Sequence, residues 1–203
     1  MTRLRIRATS AYYIRGGSGG LLVDTGYAGT LPAFYRAIGE KKVALRDIDY
    51  VMATHYHPDH AGLIGSLTGK GVKLLLIDRQ KDAVHFPDGI FARDGIPYEP
   101  VREEEATVVA PEESRAFLVR LGISGRIVPT PSHSRDSVSL ILDDGDAFVG
   151  DLEPLEYLAA YEENAALKED WDRVLSFRPK RIFYAHAPER ILPETGERIE
   201  IAR

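Results

Sequence analysis

One short segment of the chain gathers an unusual number of potential metal ligands. It follows the apolar run Tyr50–Ala53 and places four such side chains within six positions. They are His55, His57, Asp59 and His60. Three imidazoles and a carboxylate this close together cannot all be buried without partners, and a divalent cation is the natural partner for them. The alternative is a solvated histidine-rich loop, which the candidate ligands elsewhere in the chain argue against.

The composition is that of a globular protein and excludes several functional classes. Of 203 residues, 44% are hydrophobic and 28% are charged. The formal charge of −5 argues against strong electrostatic binding to nucleic acid or to an anionic membrane. The chain has no cysteine, which excludes disulfides, thiolate metal sites and cysteine nucleophiles.

Signals for targeting and for macromolecular partners are weak. The basic segment Met1–Arg7 lacks the apolar stretch of a signal peptide, and no apolar run is long enough to span a bilayer. We therefore expect a cytoplasmic protein that acts on a small molecule, without a nucleic-acid or membrane partner. The oligomeric state stays open, and a homodimer is compatible with the sequence.

Periodicity predicts a layered α/β domain over residues 1–203. The expected strands are Arg3–Ala8, Tyr12–Arg15, Gly20–Asp24, Tyr50–Ala53, Val72–Ile77, Arg126–Pro129, Val138–Leu142, Ala147–Val149 and Arg181–Ala185. Helical spacing predicts helices over Thr30–Glu40, Glu112–Gly122 and Asn164–Phe177. The glycine-rich run Gly16–Gly20 predicts a turn between two antiparallel strands.

The segment 78–111 is the least regular part of the chain, because it mixes proline, glycine and charged residues. We interpret it as a surface excursion or lid over the site. Its apolar members are Phe86, Ile90, Phe91 and Tyr98. They are expected either to shape substrate entry or to attach the segment to the core or to a second subunit. His85 is expected to be an exposed residue of this lid.

Three further candidate ligands lie far apart in the sequence, each directly after or close after a predicted strand. They are His133, Asp151 and His186. Loops at strand ends are where rigid scaffolds present functional groups. Together with the first segment they make five histidines and two aspartates, which is too many for one tetrahedral zinc ion. The set suits two metals that share a bridging carboxylate and a bridging water.

The order of these residues resembles the metallo-β-lactamase fold superfamily. The resemblance rests on His-x-His-x-Asp-His, a later His, Gly-Asp and a final His, with Leu22–Gly26 near the N-terminus. It implies an αββα sandwich of two mixed β-sheets flanked by helices. Two details depart from the common pattern: Ser132 precedes the third histidine, and alanines flank His186. Neither departure removes a ligand.

The resemblance also implies how the ligands divide. His55, His57 and His133 would hold one metal, Asp59, His60 and His186 the other, and Asp151 would bridge the two. Asp24 would orient ligands through hydrogen bonds, and a simple turn residue is the alternative role for it.

The implied activity is hydrolysis by a hydroxide that bridges two divalent metals, with zinc expected and iron or manganese as alternatives. Asp59 is the candidate catalytic residue, because it could take up the proton of the nucleophile. A small carboxyl ester, thioester or lactone is the expected substrate, since a glyoxalase-type helical domain and an RNA-binding arm are both missing from the sequence. A phosphodiesterase of the same fold, a mononuclear iron enzyme of the persulfide dioxygenase type and a non-catalytic metal-binding module are the alternatives.

Two tyrosines near the ligands are candidates for the wall of the site. Tyr56 lies between two ligands, and Tyr184 lies two residues before His186. Either is expected to hydrogen-bond an oxyanion in the transition state or to serve only in packing.

Overall fold

The computed structural model describes residues 1–161 and 163–193. The strands of these residues form two β-sheets. The first sheet contains β1 (Thr2–Ile6), β2 (Thr9–Arg15), β3 (Gly20–Val23), β4 (Tyr50–Met52), β5 (Lys73–Ile77) and β6 (Thr107–Val109), in that spatial order. The strands β1, β2 and β3 pair antiparallel, and β3 to β6 pair parallel. The turn predicted over Gly16–Gly20 therefore does connect two antiparallel strands.

The second sheet is also mixed. Its members are β7 (Gly125–Pro129), β8 (Val138–Leu142), β9 (Asp146–Gly150), β10 (Arg181–Tyr184) and β11 (Arg190–Ile191), and the spatial order runs from β11 to β7. The strands β9 and β10 pair parallel, and the other neighbours pair antiparallel. Parallel pairing brings the ends of β9 and β10, and hence the residues that follow them, to one edge of the sheet.

Six α-helices accompany the sheets in the part of the chain that the structure describes. They are α1 (Leu31–Glu40), α2 (Pro58–Ala61), α3 (Ile64–Thr68), α4 (Phe86–Arg93), α5 (Ser114–Arg120) and α6 (Ala165–Ser176). Short 3₁₀ helices lie at Leu45–Asp47, Asp78–Ala83, Glu103–Glu105, Pro111–Glu113 and Leu155–Tyr161. No helix within the described ranges has both the length and the apolar composition needed to cross a membrane.

Among the described residues, three buried apolar clusters correspond to the interfaces between layers. One face of the first sheet packs on α1 and α3 through residues such as Leu22, Phe34 and Leu67. The facing surfaces of the two sheets meet through a second cluster that includes Met52 and Phe148. The outer face of the second sheet packs on α6 around Trp171, Tyr184 and other residues of a third cluster. The predicted αββα sandwich of two mixed sheets flanked by helices is thereby confirmed.

The predicted elements differ from the observed ones mainly in short segments. All nine predicted strands and all three predicted helices have counterparts. The strands β6 and β11 were not predicted, because three and two residues are too short for an alternating pattern. The expected domain over 1–203 includes residues 162 and 194–203, which lie outside the described residues.

Candidate metal centre

The candidate ligands come together at one edge of the sandwich, where strands of both sheets end. The segment after β4 carries His55 and His57, and α2 carries Asp59 and His60. The loop between β7 and β8 carries His133, and the residues directly after β9 and close after β10 supply Asp151 and His186. Backbone hydrogen bonds join the two sheets at this edge, from Val138 N to Thr54 O (2.8 Å) and from Ser10 N to Ala185 O (2.8 Å).

All seven predicted ligands belong to groups that could hold a cation. Within each of three groups the ligand atoms lie within 4.8 Å of one another. The groups are His55–His57–His133, His55–His60–Asp151 and Asp59–His60–His186. The first and third groups correspond to the two sets that the family resemblance implied.

Asp151 lies between those two sets. Its Oδ2 atom is 3.9 Å from His55 Nε2 and 3.8 Å from His133 Nε2. Its Oδ1 atom is 3.3 Å from His60 Nε2 and 3.4 Å from His186 Nε2. One carboxylate oxygen thus faces each set, which is the arrangement that a bridging ligand between two ions requires.

Several buried atoms of the site lack the partners that buried polar atoms normally have. His55 Nε2, His60 Nε2 and Asp151 Oδ1 are buried and have no hydrogen-bond partner among residues 1–161 and 163–193. In addition, His57 Nδ1 and His133 Nε2 face each other at 3.1 Å. Buried polar atoms are nearly always satisfied, and imidazole nitrogens with carboxylate oxygens suit zinc, iron or manganese. The residues present therefore fit a divalent metal.

In the metal-free protein, His55, Asp59 and Asp151 are in the protonation states that bind a cation, whereas His60 would lose a proton on binding one. Burial lowers the pKa of His55 well below its usual value, so its ring is neutral and keeps a free lone pair. Burial acts in the same direction on His60, but the carboxylates of Asp24 and Asp151 outweigh it and raise the pKa of His60 to about 10. Burial opposes ionisation of Asp59 and Asp151 as well, yet the neighbouring histidines lower the pKa of each carboxyl to about 2.

Asp24 orients the buried part of the site. Its Oδ2 lies 3.0 Å from His60 Nδ1, and its Oδ1 accepts a hydrogen bond from Thr54 N at 2.7 Å. A hydrogen bond to Nδ1 directs the lone pair of Nε2 toward the ligand group. Asp24 has a left-handed φ of +62°, a conformation that aspartate tolerates better than most residues. The residue therefore does more than form a turn.

Thr54 is a functional residue that the sequence did not reveal. Its Oγ1 lies 3.0 and 3.1 Å from the Asp24 oxygens and 3.2 Å from His55 Nδ1. With its proton given to Asp24, the hydroxyl accepts from His55 Nδ1–H and leaves His55 Nε2 free to bind a metal. Gly150 makes room for this contact, because a Cβ there would lie 2.4 Å from Thr54 Oγ1.

The comparison with known proteins agrees with this geometry. The profile of the metallo-beta-lactamase superfamily matches residues 4–186, which is most of the chain. The chain belongs to the metallo-β-lactamase superfamily. The ligand order predicted from the sequence is thus found within the matched region.

Curated relatives from animals and a fungus are similar to this superfamily member. The beta-lactamase-like protein 2 homolog of Drosophila melanogaster is 29% identical over 185 residues, which cover 90% of this chain and 60% of the relative. The homolog from Caenorhabditis elegans is 25% identical over 203 residues, which cover 96% of this chain and 62% of the relative. The lactamase-like protein aptB of Emericella nidulans is 29% identical over 153 residues, which cover 73% of this chain and 41% of that protein. The chain thus spans at most about three fifths of the length of these relatives.

Solved structures of the superfamily share the fold. The di-iron-bound form of TTHA1623 has a TM-score of 0.69 at 23% identity and covers 94% of this chain and 93% of that one. The TTHA1429 protein of Thermus thermophilus has a TM-score of 0.62 at 20% identity, and the match covers 93% of this chain and 73% of that one. At these identities the similarity concerns the fold.

Within this metallo-β-lactamase fold, two further residues hold the ligand loops and were also missed by the sequence analysis. Gln80 is fully buried, and its Nε2 donates to the carbonyl oxygens of Ala53, Thr54 and Asp136 at 3.1 to 3.3 Å. Asp136 in turn accepts from Tyr56 N at 2.7 Å, which fixes the backbone between His55 and His57. Their partners are up to 80 residues away, so local sequence patterns carry no sign of them.

The loop that carries His133 is held in a similar way by α6. The buried carboxylate of Asp170 accepts from Ser132 N at 2.7 Å and pairs with Arg173 at 2.8 Å. Arg173 also donates to the carbonyl oxygen of Pro129 at 2.8 Å. The helix therefore fixes both ends of the backbone that precedes His133.

The segment 78–111 contains more regular structure than its composition suggested, and its role as a lid stays a prediction. The segment contains α4, the edge strand β6 and the 3₁₀ helices Asp78–Ala83 and Glu103–Glu105. A further 3₁₀ helix begins at its last residue, Pro111. Phe91 is fully buried, and its ring centroid lies 5.0 Å from that of Tyr27, a contact that joins the segment to the rest of the protein. Tyr98 packs on Phe91 within the segment, with ring centroids 4.5 Å apart. Phe86 differs, because it is 53% exposed and lies 5.4 Å from the ring of His57.

The two tyrosines proposed for the wall serve in packing. Tyr56 is 1% exposed and belongs to the cluster beneath the first sheet. Tyr184 belongs to the cluster beneath the second sheet, and its hydroxyl accepts from Leu155 N at 3.2 Å. His85 is exposed, as expected, and pairs with Asp88 at 2.9 Å.

Two cavities adjoin the ligand groups of the superfamily member. A cleft of about 480 Å³ opens beside Asp59 and is lined mainly by Ile6, the turn Arg7–Ala8, the loop Tyr27–Thr30 and Ile96. A smaller, polar cavity of about 160 Å³ adjoins His133 and Asp151 on the other side, lined also by Ser132, Glu153, Asn164 and Leu167. The ligand groups thus have a mainly apolar surface on one side and a polar one on the other.

Proposed function

We propose that this chain is a dinuclear metal-dependent hydrolase that cleaves a small carboxyl ester, thioester or lactone. Superfamily membership and the His/Asp groups support a metal-dependent hydrolase-type function at the coarser level. The observation that carries the dinuclear form is Asp151, whose two oxygens face two separate ligand sets at 3.3 to 3.9 Å. Zinc is the proposed metal, with iron or manganese as alternatives.

Two divalent ions, when bound, lower the pKa of a coordinated water and polarise the bond that is cleaved. The contribution of the chain is to hold the ligand atoms in place. Asp24 and Thr54 keep the Nε2 atoms of His60 and His55 aimed at the ligand groups. Ala8 O accepts a hydrogen bond from His186 Nδ1 at 3.2 Å, which keeps His186 Nε2 aimed at its ligand group.

Asp59 is the proposed proton acceptor. Its Oδ2 faces His186 Nε2 at 2.8 Å, so Oδ1 is the oxygen left to take up the proton that the attacking water releases. The residue also lines the cleft of about 480 Å³, which puts the carboxylate next to the space for substrate. Its low pKa keeps the carboxylate ionised, the form in which Oδ1 can accept a hydrogen bond from the attacking water.

We propose that the chain acts as one domain on a small molecule in the cytoplasm, without a nucleic-acid or membrane partner. The formal charge of −5 supports the absence of an electrostatic nucleic-acid surface. The curated relatives are longer than this chain, so their whole activity is not assumed for it.

The test combines metal analysis with a substrate panel. We expect two ions per chain by elemental analysis after loading with zinc, and turnover of aryl esters, thioesters or lactones without dioxygen. Asp151→Asn should lower the affinity for both ions and reduce turnover at least about 100-fold, since even outer-shell partners cost 10–100-fold. The matched control is Asp172→Asn, an exposed aspartate on α6.

Three results would overturn the proposal. A single tightly bound ion, with no second ion on titration, would contradict the dinuclear site. Activity that needs iron and dioxygen and is lost with zinc would indicate an oxygenase, because zinc has no redox chemistry. Turnover of phosphodiesters alone would contradict the proposed substrate class.

A further inference from the structure

The cleft beside Asp59 has an uneven distribution of charge. Most of its lining is apolar or uncharged, from Ile6, Tyr27, Ala28, Gly29 and Ile96 among others. Among the lining residues only Asp59 and Arg7 carry a charge. Asp59 is already engaged with His186 at 2.8 Å. The cleft therefore presents one cation on a largely apolar surface.

Arg7 differs from the other arginines of the same hairpin. Arg3 and Arg5 both donate to Ser10 Oγ, at distances of 2.9 to 3.2 Å. Among the residues that the structure describes, the guanidinium of Arg7 has neither an ion pair nor a hydrogen bond. Arg7 is exposed at the turn between β1 and β2, and its φ of +55° is unusual for a residue other than glycine.

The turn that carries Arg7 is also tied to the metal centre. Its second residue, Ala8, accepts the hydrogen bond from His186 Nδ1 at 3.2 Å. The position of the Arg7 backbone is thereby fixed relative to His186, a member of the group Asp59–His60–His186. A charged group bound by Arg7 would consequently lie at a defined separation from the reacting bond.

We propose that Arg7 selects substrates that carry an anionic group at the end of an apolar chain, with the chain seated in the cleft beside Asp59. Apolar pockets gain orientation and specificity from a few polar groups, and a guanidinium pairs with a carboxylate through two parallel hydrogen bonds. The inference rests on the proposed hydrolase function and narrows its substrate class to half-esters, thioesters or lactones that also carry a free carboxylate.

The kinetic test compares two ester series that differ only in terminal charge. One series consists of the 4-nitrophenyl half-esters of linear diacids of increasing length, and the other of neutral 4-nitrophenyl alkanoates of equal length. We expect zinc-loaded protein to prefer one half-ester length in kcat/KM. Arg7→Gln should lower the ratio of anionic to neutral kcat/KM about tenfold, the effect of one hydrogen bond to a charged group.

Two variants control for trivial causes. Arg7→Lys keeps the charge and should restore part of the preference, whereas a purely structural role would give equal losses in both variants. Arg36→Gln removes an exposed arginine from α1 that does not line the cleft, and should leave the ratio unchanged. An unchanged ratio in Arg7→Gln, or an equal fall in Arg36→Gln, would overturn the inference.

A binding measurement separates this inference from the proposed function. The probes are the non-hydrolysable monobutylamides of the same diacids and the matching neutral diamides, titrated calorimetrically into the zinc-loaded protein. Weaker binding of the acids alone in Arg7→Gln would support the inference even if no ester is cleaved. Hydrolysis of neutral esters with no dependence of acid binding on Arg7 would support the function and refute the inference.

Discussion

The two halves of the candidate metal centre are held in different ways. His55 and His60 are 1% and 0% exposed, and their Nδ1 atoms contact the buried pair Asp24 and Thr54. The side chains of His133 and His186 are 30% and 39% exposed and depend on loop backbone for their positions. The buried half is part of the protein core, whereas the exposed half is added to it. Ligands of one site can therefore differ widely in what they contribute to stability.

The strongest test of this contrast is Asp24→Ala. The substitution leaves Thr54 N without its acceptor and removes the carboxylate that stabilises His60. Removing one partner of a buried ionic pair costs about 3–5 kcal/mol, and we expect a loss near the lower end of that range. Urea denaturation of the metal-free protein measures it, because bound metal would add its own stabilisation.

Asp24→Asn is the matched variant for that measurement. Asparagine also tolerates a left-handed φ and keeps an oxygen for Thr54 N, so a smaller loss is expected. Equal losses for alanine and asparagine would mean that the charge of Asp24 matters and its hydrogen bond does not. No loss for either would mean that the buried half is not part of the stabilising core.

The second prediction concerns the brace beneath the buried half. Gln80→Leu removes three donated hydrogen bonds to backbone carbonyls and the acceptor of Ile77 N at 3.3 Å. Leaving a buried group unsatisfied costs about 1–3 kcal/mol, and local relaxation should hold the total to about 2–3 kcal/mol. Thermal and urea unfolding of the metal-free variant measure the effect.

The control for Gln80 is a polar residue of the same segment. Asp82→Leu changes an exposed position two residues later and should alter the free energy of unfolding by less than about 0.5 kcal/mol. A fall in metal affinity for Gln80→Leu with unchanged stability would contradict its role as a brace. It would assign the residue to the orientation of ligands alone.

The ligands could be predicted from the sequence, whereas the residues that support them could not. The seven candidate ligands were recognisable because each lies after a predicted strand and belongs to one ordered pattern. The supports behind them were not recognisable, since Thr54, Gln80 and Asp136 act on backbone or side chains distant in sequence. Serine, threonine, glutamine and aspartate are common residues, and only the tertiary structure shows which of them are buried beside a ligand.

The segment 78–111 is a second region in which the sequence did not reveal tertiary contacts. Its prolines, glycines and charges predict irregular structure, but Gln80 and Phe91 are fully buried by contacts that the composition does not reveal. The strand β6 is three residues long and gains its place by pairing with β5. Short elements of this kind are specified by their neighbours rather than by their own periodicity.

The smallest effect on stability is expected in the exposed half, for His186→Ala. The ion pair of His186 with Asp59 is more than one third exposed on both sides. Exposed pairs contribute at most about 1 kcal/mol, so the metal-free variant should unfold within that margin of the wild type. Metal content should nevertheless fall from two ions to one, because Asp59 and His60 lose the third member of their group.

His85→Ala is the matched control for that variant. His85 also pairs with an aspartate, at 2.9 Å, and is 51% exposed, yet it belongs to none of the ligand groups. It should show a similarly small change in stability and retain both ions. Should His186→Ala destabilise the metal-free protein by more than about 2 kcal/mol, a value typical of buried residues, the division into a core half and an added half would not hold. Should it retain both ions at unchanged affinity, His186 would not be a ligand, and the second ion would depend on Asp59, His60 and Asp151 alone.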